Sequence, residues 1–179
     1  MKEALERILI TEEQIQTRLG EVAAELNRDY EGKFPMTVGI LKGSVIFFAD
    51  LVRRMNMPVE FDFMVVSSYG SGSVSSGELI IKKDLSHDVR GRDVLIVEDI
   101  VDSGFTLTKL TQLLRERGAA SVKIVTLLDK KERRKYPISP DYCCFDVEDE
   151  FVVGYGLDYA EKFRQLPYIG ILKREYYES

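Results

Sequence analysis

The run Val94-Leu-Ile-Val-Glu98-Asp99-Ile-Val-Asp102-Ser103-Gly104-Phe105-Thr106 packs three carboxylates, two hydroxyls and a glycine into one short stretch. An apolar, β-branched segment leads directly into the first two acids, as a buried strand does when it delivers polar groups to a loop. Carboxylates accept hydrogen bonds from the vicinal hydroxyls of a sugar. The Ser-Gly-x-Thr turn opens a helical pattern, and N–H groups at a helix start, helped by the dipole, hold a phosphate. A phosphorylated pentose satisfies both halves. Glu98 and Asp99 would repel each other in a dry site, so they require solvent, diols or a cation.

These groups need a scaffold. Glu6–Ile10 reads as a lead strand, and Thr11-Glu-Glu-Gln14 as a capping box opening a helix with Ile15, Leu19, Val22, Ala23 and Leu26 on one face. Met36–Leu41 reads as a buried strand entering Lys42-Gly43-Ser44, where Ser44 caps a helix carrying Val45, Phe48, Leu51 and Val52. Further strands are expected at Val59–Ser67, Glu78–Lys82, Asp93–Asp99 and Ser121–Leu128. A helix after Ser103 presents Leu107, Leu110, Leu113 and Leu114, and ends at Arg115 and Arg117 before Gly118. The Ser/Gly-rich stretch from Ser67 to Gly77 reads as a mobile loop. Alternating strands and helices imply an α/β fold with a mainly parallel twisted sheet flanked by helices. Short strands at Tyr142–Val147, Phe151–Gly154 and Tyr168–Leu172 suggest a small hood over the carboxyl edge of that sheet. Ligands of such sheets lie beyond the carboxyl ends of the strands, so residues 41–44, 98–106 and 129–130 should converge.

Composition narrows the class. With 179 residues, the chain is most simply a single domain spanning 1–179, with a core of about 34–130 and a hood from the N-terminal strand and about 131–179. A net charge of −5 argues against broad nucleic-acid binding. No apolar run approaches the roughly 20 residues of a bilayer span, and the N-terminus is too charged for a signal peptide. The adjacent Cys143 and Cys144 read as reduced, buried thiols of a cytoplasmic protein without a membrane partner. The lone His87 reads as a surface turn residue, and zinc-type spacing is absent.

The segment Val97–Thr106 closely resembles the phosphoribosyl pyrophosphate (PRPP) motif of type I phosphoribosyltransferases, and the remaining motifs resemble the hypoxanthine-guanine branch of that family. Leu41-Lys42-Gly43-Ser44 is similar to its pyrophosphate loop, Ser68-Tyr69 to the start of its mobile catalytic loop, and Leu127-Leu128-Asp129-Lys130 to its purine-contacting lysine segment. Phe151-Val-Val-Gly-Tyr-Gly-Leu-Asp158-Tyr and Phe163-Arg164 resemble its base-stacking and metal segment. The likeness covers about residues 8–173; the PRPP motif marks only the superfamily, whereas its combination with the 151–159 run is highly specific.

The resemblance implies a role for each matching residue. Ser103, Gly104 and Thr106 would bind the 5′-phosphate. Glu98 and Asp99 would hold the ribose hydroxyls, partly through Mg²⁺, to which Asp158 also contributes. Asp102 would take the purine ring proton as general base. Lys42, Gly43 and Arg164 would stabilise pyrophosphate. Lys130 would donate to the 6-oxo group, Phe151 would stack on the base, and the Val152 backbone would read its edge. Ser68 and Tyr69 would close over the reactants. The peptide before Lys42 can be cis in this family, and Arg134, more than Arg133, matches a cationic position near pyrophosphate.

The implied reaction converts a 6-oxopurine and PRPP to IMP or GMP and pyrophosphate, in a homodimer or homotetramer for which the exposed faces of the first two helices offer surface. Two residues depart from the pattern. Phe105 stands where some relatives have lysine, so its side chain should not touch phosphate. Glu150 stands where relatives can be basic, which puts the ranking of hypoxanthine, guanine and xanthine in doubt. A regulator that keeps the PRPP fold but binds nucleic acid is the rival from another class; it is opposed by the net charge and the intact Lys130, Phe151 and Asp158.

Overall fold

Alternation along one strand organises the molecule. In β5 (Asp93–Val101), Leu95 and Val97 face one hydrophobic cluster, and Val94 and Ile96 face another. All four are wholly buried, which places β5 deep in a sheet covered on both sides. The structure, a computed structural model, describes residues 2–68 and 79–177. Tyr69 and the rest of the Ser/Gly-rich stretch through Glu78 lie outside the described residues.

The main sheet has the order β4-β3-β2-β5-β6-β7, where β2 is Met36–Ile40, β3 Glu60–Ser68, β4 Leu79–Lys83, β6 Ser121–Asp129 and β7 Tyr142–Asp146. Every pairing is parallel except that of β4, which runs antiparallel to β3. Helices α1 (Glu12–Asp29) and α2 (Val45–Val52) cover one face. Helix α3 (Phe105–Glu116) covers the other through Leu107, Leu110 and Leu114. The capping box forms as expected: Gln14 N–H donates to Thr11 Oγ1 at 3.2 Å, and Thr11 N–H to Gln14 Oε1 at 2.8 Å. A second, antiparallel sheet has the order β1-β9-β8, joining β1 (Leu5–Ile10) to β9 (Ile169–Leu172) and β8 (Val152–Val153).

Several expectations give way. The segment at Tyr142, assigned to the hood, instead pairs parallel with β6 and widens the main sheet, because Tyr142 and Cys144 bury against α1. Ser44 does not cap α2. It is already helical at φ −79° and ψ −6°, and its hydroxyl donates back to Ile40 O at 2.7 Å. Val45 is 43% exposed, and Phe47 takes the buried position in its place. Strand β5 does not stop at the acids but continues through them to Val101, held by its pairing with β6.

Candidate active site

Strand β5 carries Glu98 and Asp99 into a cavity of about 250 Å³ that is lined by Leu41, Gly43, Glu98, Asp99 and the whole of 100–107. The sequence order dictates this: the parallel β5 ends where α3 begins, so its last residues and the first turn of the helix share one wall. Glu98 is almost wholly buried, at 8% exposure. Burial, and then the neighbouring Asp99 charge, raises the Glu98 carboxyl well above the usual range. Burial likewise raises Asp99. They are therefore not solvated residues at a strand end. Two adjacent carboxyls whose ionised forms the site disfavours are a ligand set that a divalent cation or a pair of hydroxyls would neutralise, so the residues fit Mg²⁺.

The same wall continues into a helix start. The first full α-helical bond of α3 runs from Thr108 N–H to Gly104 O at 3.0 Å, so the N–H groups of Gly104 to Leu107 precede it. Ser103 Oγ accepts from Phe105 N–H at 3.3 Å. Gly104 sits at φ +84°, and a Cβ there would lie 2.7 Å from Ile138 Cγ2, so both conformation and space exclude a side chain. Phe105 turns its ring onto Tyr136, centroids 5.3 Å apart, in keeping with a side chain that leaves phosphate alone.

Residues 41–44 form the floor. The Leu41–Lys42 peptide is cis. A Cβ on Gly43 would overlap the Asp99 carboxylate, so only glycine lets this turn rest on the acid pair. The carbonyl of Gly43 in turn lies against Gly156, which brings the 154–164 segment to the same place. There Arg164 Nη1 donates to Gly156 O at 2.8 Å, and Nη2 lies 2.9 Å from Asp158 Oδ1. Arg164 Nε is buried and has no hydrogen-bond partner among the described residues. Lys42 Nζ lies 2.9 Å from Glu161 Oε2, and the same carboxylate lies 3.3 Å from Arg164 Nη2 through Oε1.

Beside this cavity runs a chain of charges. Asp102 Oδ1 is out of contact with solvent, and Arg133 Nε lies 3.2 Å away without the alignment of a hydrogen bond, so that oxygen accepts from no donor. Arg133 also lies 3.5 Å from Asp149, which is 3.7 Å from Lys130 Nζ. Lys130 is buried, at 6% exposure, and donates to Glu150 O at 2.6 Å. It is no ordinary surface lysine. Phe151 follows at once; its ring stacks on Tyr177 at 4.7 Å and 23°, and meets Tyr159 edge-on at 5.6 Å. Val152 and Val153 pair with β9.

The predicted residues thus fall into two connected groups. Glu98, Asp99, Asp102, Ser103, Gly104, Thr106 and Gly43 line the cavity, with Lys42, Asp158 and Arg164 beside Gly43. Lys130, Phe151 and Val152 are not part of its lining and reach Asp102 only through Arg133 and Asp149. Ser68 ends β3, and Tyr69 lies outside the described residues. Arg134 is spoken for: its guanidinium pairs with Asp129 and its Nε donates to Asp102 O at 3.1 Å, which braces the loop. Sequence reasoning missed Asp149, Glu161 and Tyr177; each is an exposed-looking polar or aromatic residue whose partner the fold supplies.

One other donor set stands apart. Asp129, Cys143 and Asp146 place ligand atoms within 4.8 Å of one another. Arg134 and Lys131 already hold the two carboxylates, and burial pushes the Cys143 thiol up to about 11, so protons and cations compete with any metal there. Cys143 and Cys144 are both free. Among the described residues no helix is long and apolar enough to cross a membrane.

Comparison with known proteins shows the family. The model of the phosphoribosyl transferase domain matches residues 9–160. A hypoxanthine-guanine phosphoribosyltransferase of Bacillus subtilis is 55% identical over 100% of this chain and 99% of its own. One from Streptococcus pneumoniae is 51% identical over 98% of this chain and 97% of its own. The crystal structure of a hypoxanthine phosphoribosyltransferase from Staphylococcus aureus superposes with a TM-score of 0.97 at 50% identity, covering 100% of this chain and 97% of that one.

Proposed function

The chain belongs to the phosphoribosyl transferase family, and from that premise we propose how its residues divide the work. It is an enzyme of purine salvage that transfers the 5-phosphoribosyl group of PRPP to hypoxanthine or guanine, giving IMP or GMP and pyrophosphate. The observation that carries the residue assignment is that buried Glu98, its neighbour Asp99 and the first turn of α3 line one cavity. The 5′-phosphate sits on the N–H groups of 104–107 with the hydroxyls of Ser103 and Thr106. The ribose 2′- and 3′-hydroxyls donate to Glu98 and Asp99. Bound Mg²⁺, held by Glu98, Asp99 and Asp158, would supply positive charge beside the pyrophosphate.

The backbone at Lys42 and Gly43, the Lys42 ammonium and the Arg164 guanidinium balance the charge that grows on pyrophosphate as the bond to C1′ stretches. The partnerless Arg164 Nε supports this, since a buried donor without an acceptor calls for a ligand oxygen. Asp102 Oδ1 accepts the purine ring proton. Lys130 donates a further hydrogen to the 6-oxo group, and Val152 contacts the base edge. The base meets Phe151 on the face opposite Tyr177 or displaces that tyrosine ring. Ser68 and Tyr69 close over the reactants. A cytoplasmic location is part of the same reading, supported by the two unbridged cysteines. So is a homodimer or homotetramer, supported by apolar surface at Val45 and Phe61 on α2 and β3, 43% and 51% exposed.

An ultraviolet assay with PRPP, Mg²⁺ and hypoxanthine, guanine, xanthine or adenine in turn tests the reading. Conversion of the first two with little of adenine is the expected result; adenine as the preferred base would overturn it. Lys130 makes the sharper prediction. Adenine presents an amino group where a 6-oxopurine presents an acceptor, leaving the hydrogen that the buried ammonium would give the base, beyond the one donated to Glu150 O, without an acceptor. Lys130→Met should therefore reduce the hypoxanthine-over-adenine ratio of kcat/KM by about 10- to 100-fold. An unaltered ratio in a variant that still melts cooperatively would remove Lys130 from the base pocket.

A further inference from the structure

We propose that Glu161 is a built-in anion that occupies the pyrophosphate cations of the ligand-free enzyme and must be displaced when PRPP or pyrophosphate binds. The inference rests on the assignment of Lys42 and Arg164 to pyrophosphate made above. One carboxylate contacts both cations, Lys42 Nζ through Oε2 at 2.9 Å and Arg164 Nη2 through Oε1 at 3.3 Å. This is the bridging contact that an oxygen pair of a phosphate would make.

The turn that presents Glu161 is shaped for the purpose. Ala160, Glu161 and Phe163 have φ of +49°, +62° and +80°, in the left-handed region that side chains disfavour. Glu161 N–H donates to Asp158 Oδ2 at 2.8 Å, and Tyr159 and Lys162 exchange backbone hydrogen bonds at 3.1 and 3.0 Å, which fixes the turn in that form. Asp158 pairs with Arg164 as well, so the residue that orients the guanidinium also holds the amide of its competitor.

Charge decides what happens next. Lys42 and Arg164 against Asp158 and Glu161 leave this corner neutral. An incoming pyrophosphate carries several negative charges, and Glu161 left in place would oppose them. The side chain is 66% exposed and has solvent to swing into. Arg164 Nε, which Glu161 does not satisfy, has no acceptor among the described residues. Every binding event therefore breaks the two Glu161 contacts, and every departure of pyrophosphate restores them. The effect is to weaken a product that would otherwise leave slowly.

Calorimetry with pyrophosphate and Mg²⁺ tests this, alongside product-inhibition constants. Exposed ion pairs are individually modest, so Glu161→Gln should bind pyrophosphate about three- to tenfold tighter. KM for PRPP should fall in parallel, while KM for hypoxanthine moves by less than about twofold. Glu161→Asp, one methylene too short to span both cations, should lie between. Equal or weaker pyrophosphate binding by Glu161→Gln would overturn the proposal and make Glu161 a mere support for Arg164. Failure of the unmodified protein to bind pyrophosphate would instead remove Lys42 and Arg164 from that role.

Discussion

Asp102→Asn should lower kcat by about 10²- to 10⁴-fold, the usual worth of a positioned general base, while shifting PRPP affinity only a few-fold. The substitution keeps shape and replaces one carboxylate oxygen by an amide nitrogen. Oδ1 of Asp102 is shielded from solvent and accepts no hydrogen bond, with Arg133 Nε 3.2 Å away but out of line. An acceptor left open in that way suits an N–H arriving on a base. Arg133 compensates its charge until then without consuming the lone pair. The amide cannot take a proton, so the purine would have to attack while still protonated at its ring nitrogen. Phosphate and ribose contacts lie elsewhere in the cavity, which is why binding should survive. Single-turnover rates with PRPP in excess separate the two, and unchanged turnover would dismiss Asp102 as the base.

Glu98→Gln should move stability and function in opposite directions. Burial raises both Glu98 and Asp99, and their mutual repulsion adds to Glu98. A carboxyl whose folded value lies above its unfolded value binds its proton more tightly when folded. Its contribution is present in full below the unfolded value, near pH 4, and is lost as the pH climbs through the raised folded value. The ligand-free protein therefore gains two repelling charges only as the pH climbs through those raised values. Removing one should raise the melting temperature at pH 8, by about 2–4 °C for each kcal/mol recovered in a domain of this length. The gain should shrink as the pH falls through the raised values and the pair takes up protons. Affinity for PRPP with Mg²⁺ should meanwhile drop by about 10- to 100-fold, as losses of metal-site support commonly do. A variant that melted lower at pH 8, or bound PRPP unchanged, would contradict the account of this pair.

Legibility from the chain alone followed the range of the interactions. Residues 94–106 could be read because a strand, its acids, a turn and a helix start are contiguous, so local periodicity and local chemistry coincide. The capping box at Thr11 and Gln14 was equally plain for that reason. Ser44 misled because the same residue type favours both a cap and a bond to the preceding turn, and only the backbone angles decide between them. The strand at Tyr142 misled because its partner, β6, is chosen by packing against α1 and not by any pattern of its own. The pairing of Lys42 with Glu161 joins residues far apart in sequence, one in a glycine turn and one in a run of charges, and neither composition nor spacing hints at the other. Lys130 could be singled out only through the resemblance of its segment, because its burial is set by the fold and not by any local pattern.

The pairing of β1 with β9 joins nearly the earliest described strand to the last, and β8 is anchored only through β9. On a ribosome the half that grips the sugar phosphate can condense as soon as β2 to β6 have emerged. Val152, which we assign to the base edge, stays unpaired until Ile171 is out. The residues we assign to the 5′-phosphate and ribose thus emerge before Val152 finds its strand partner, and β1 waits as an unpaired edge through most of synthesis.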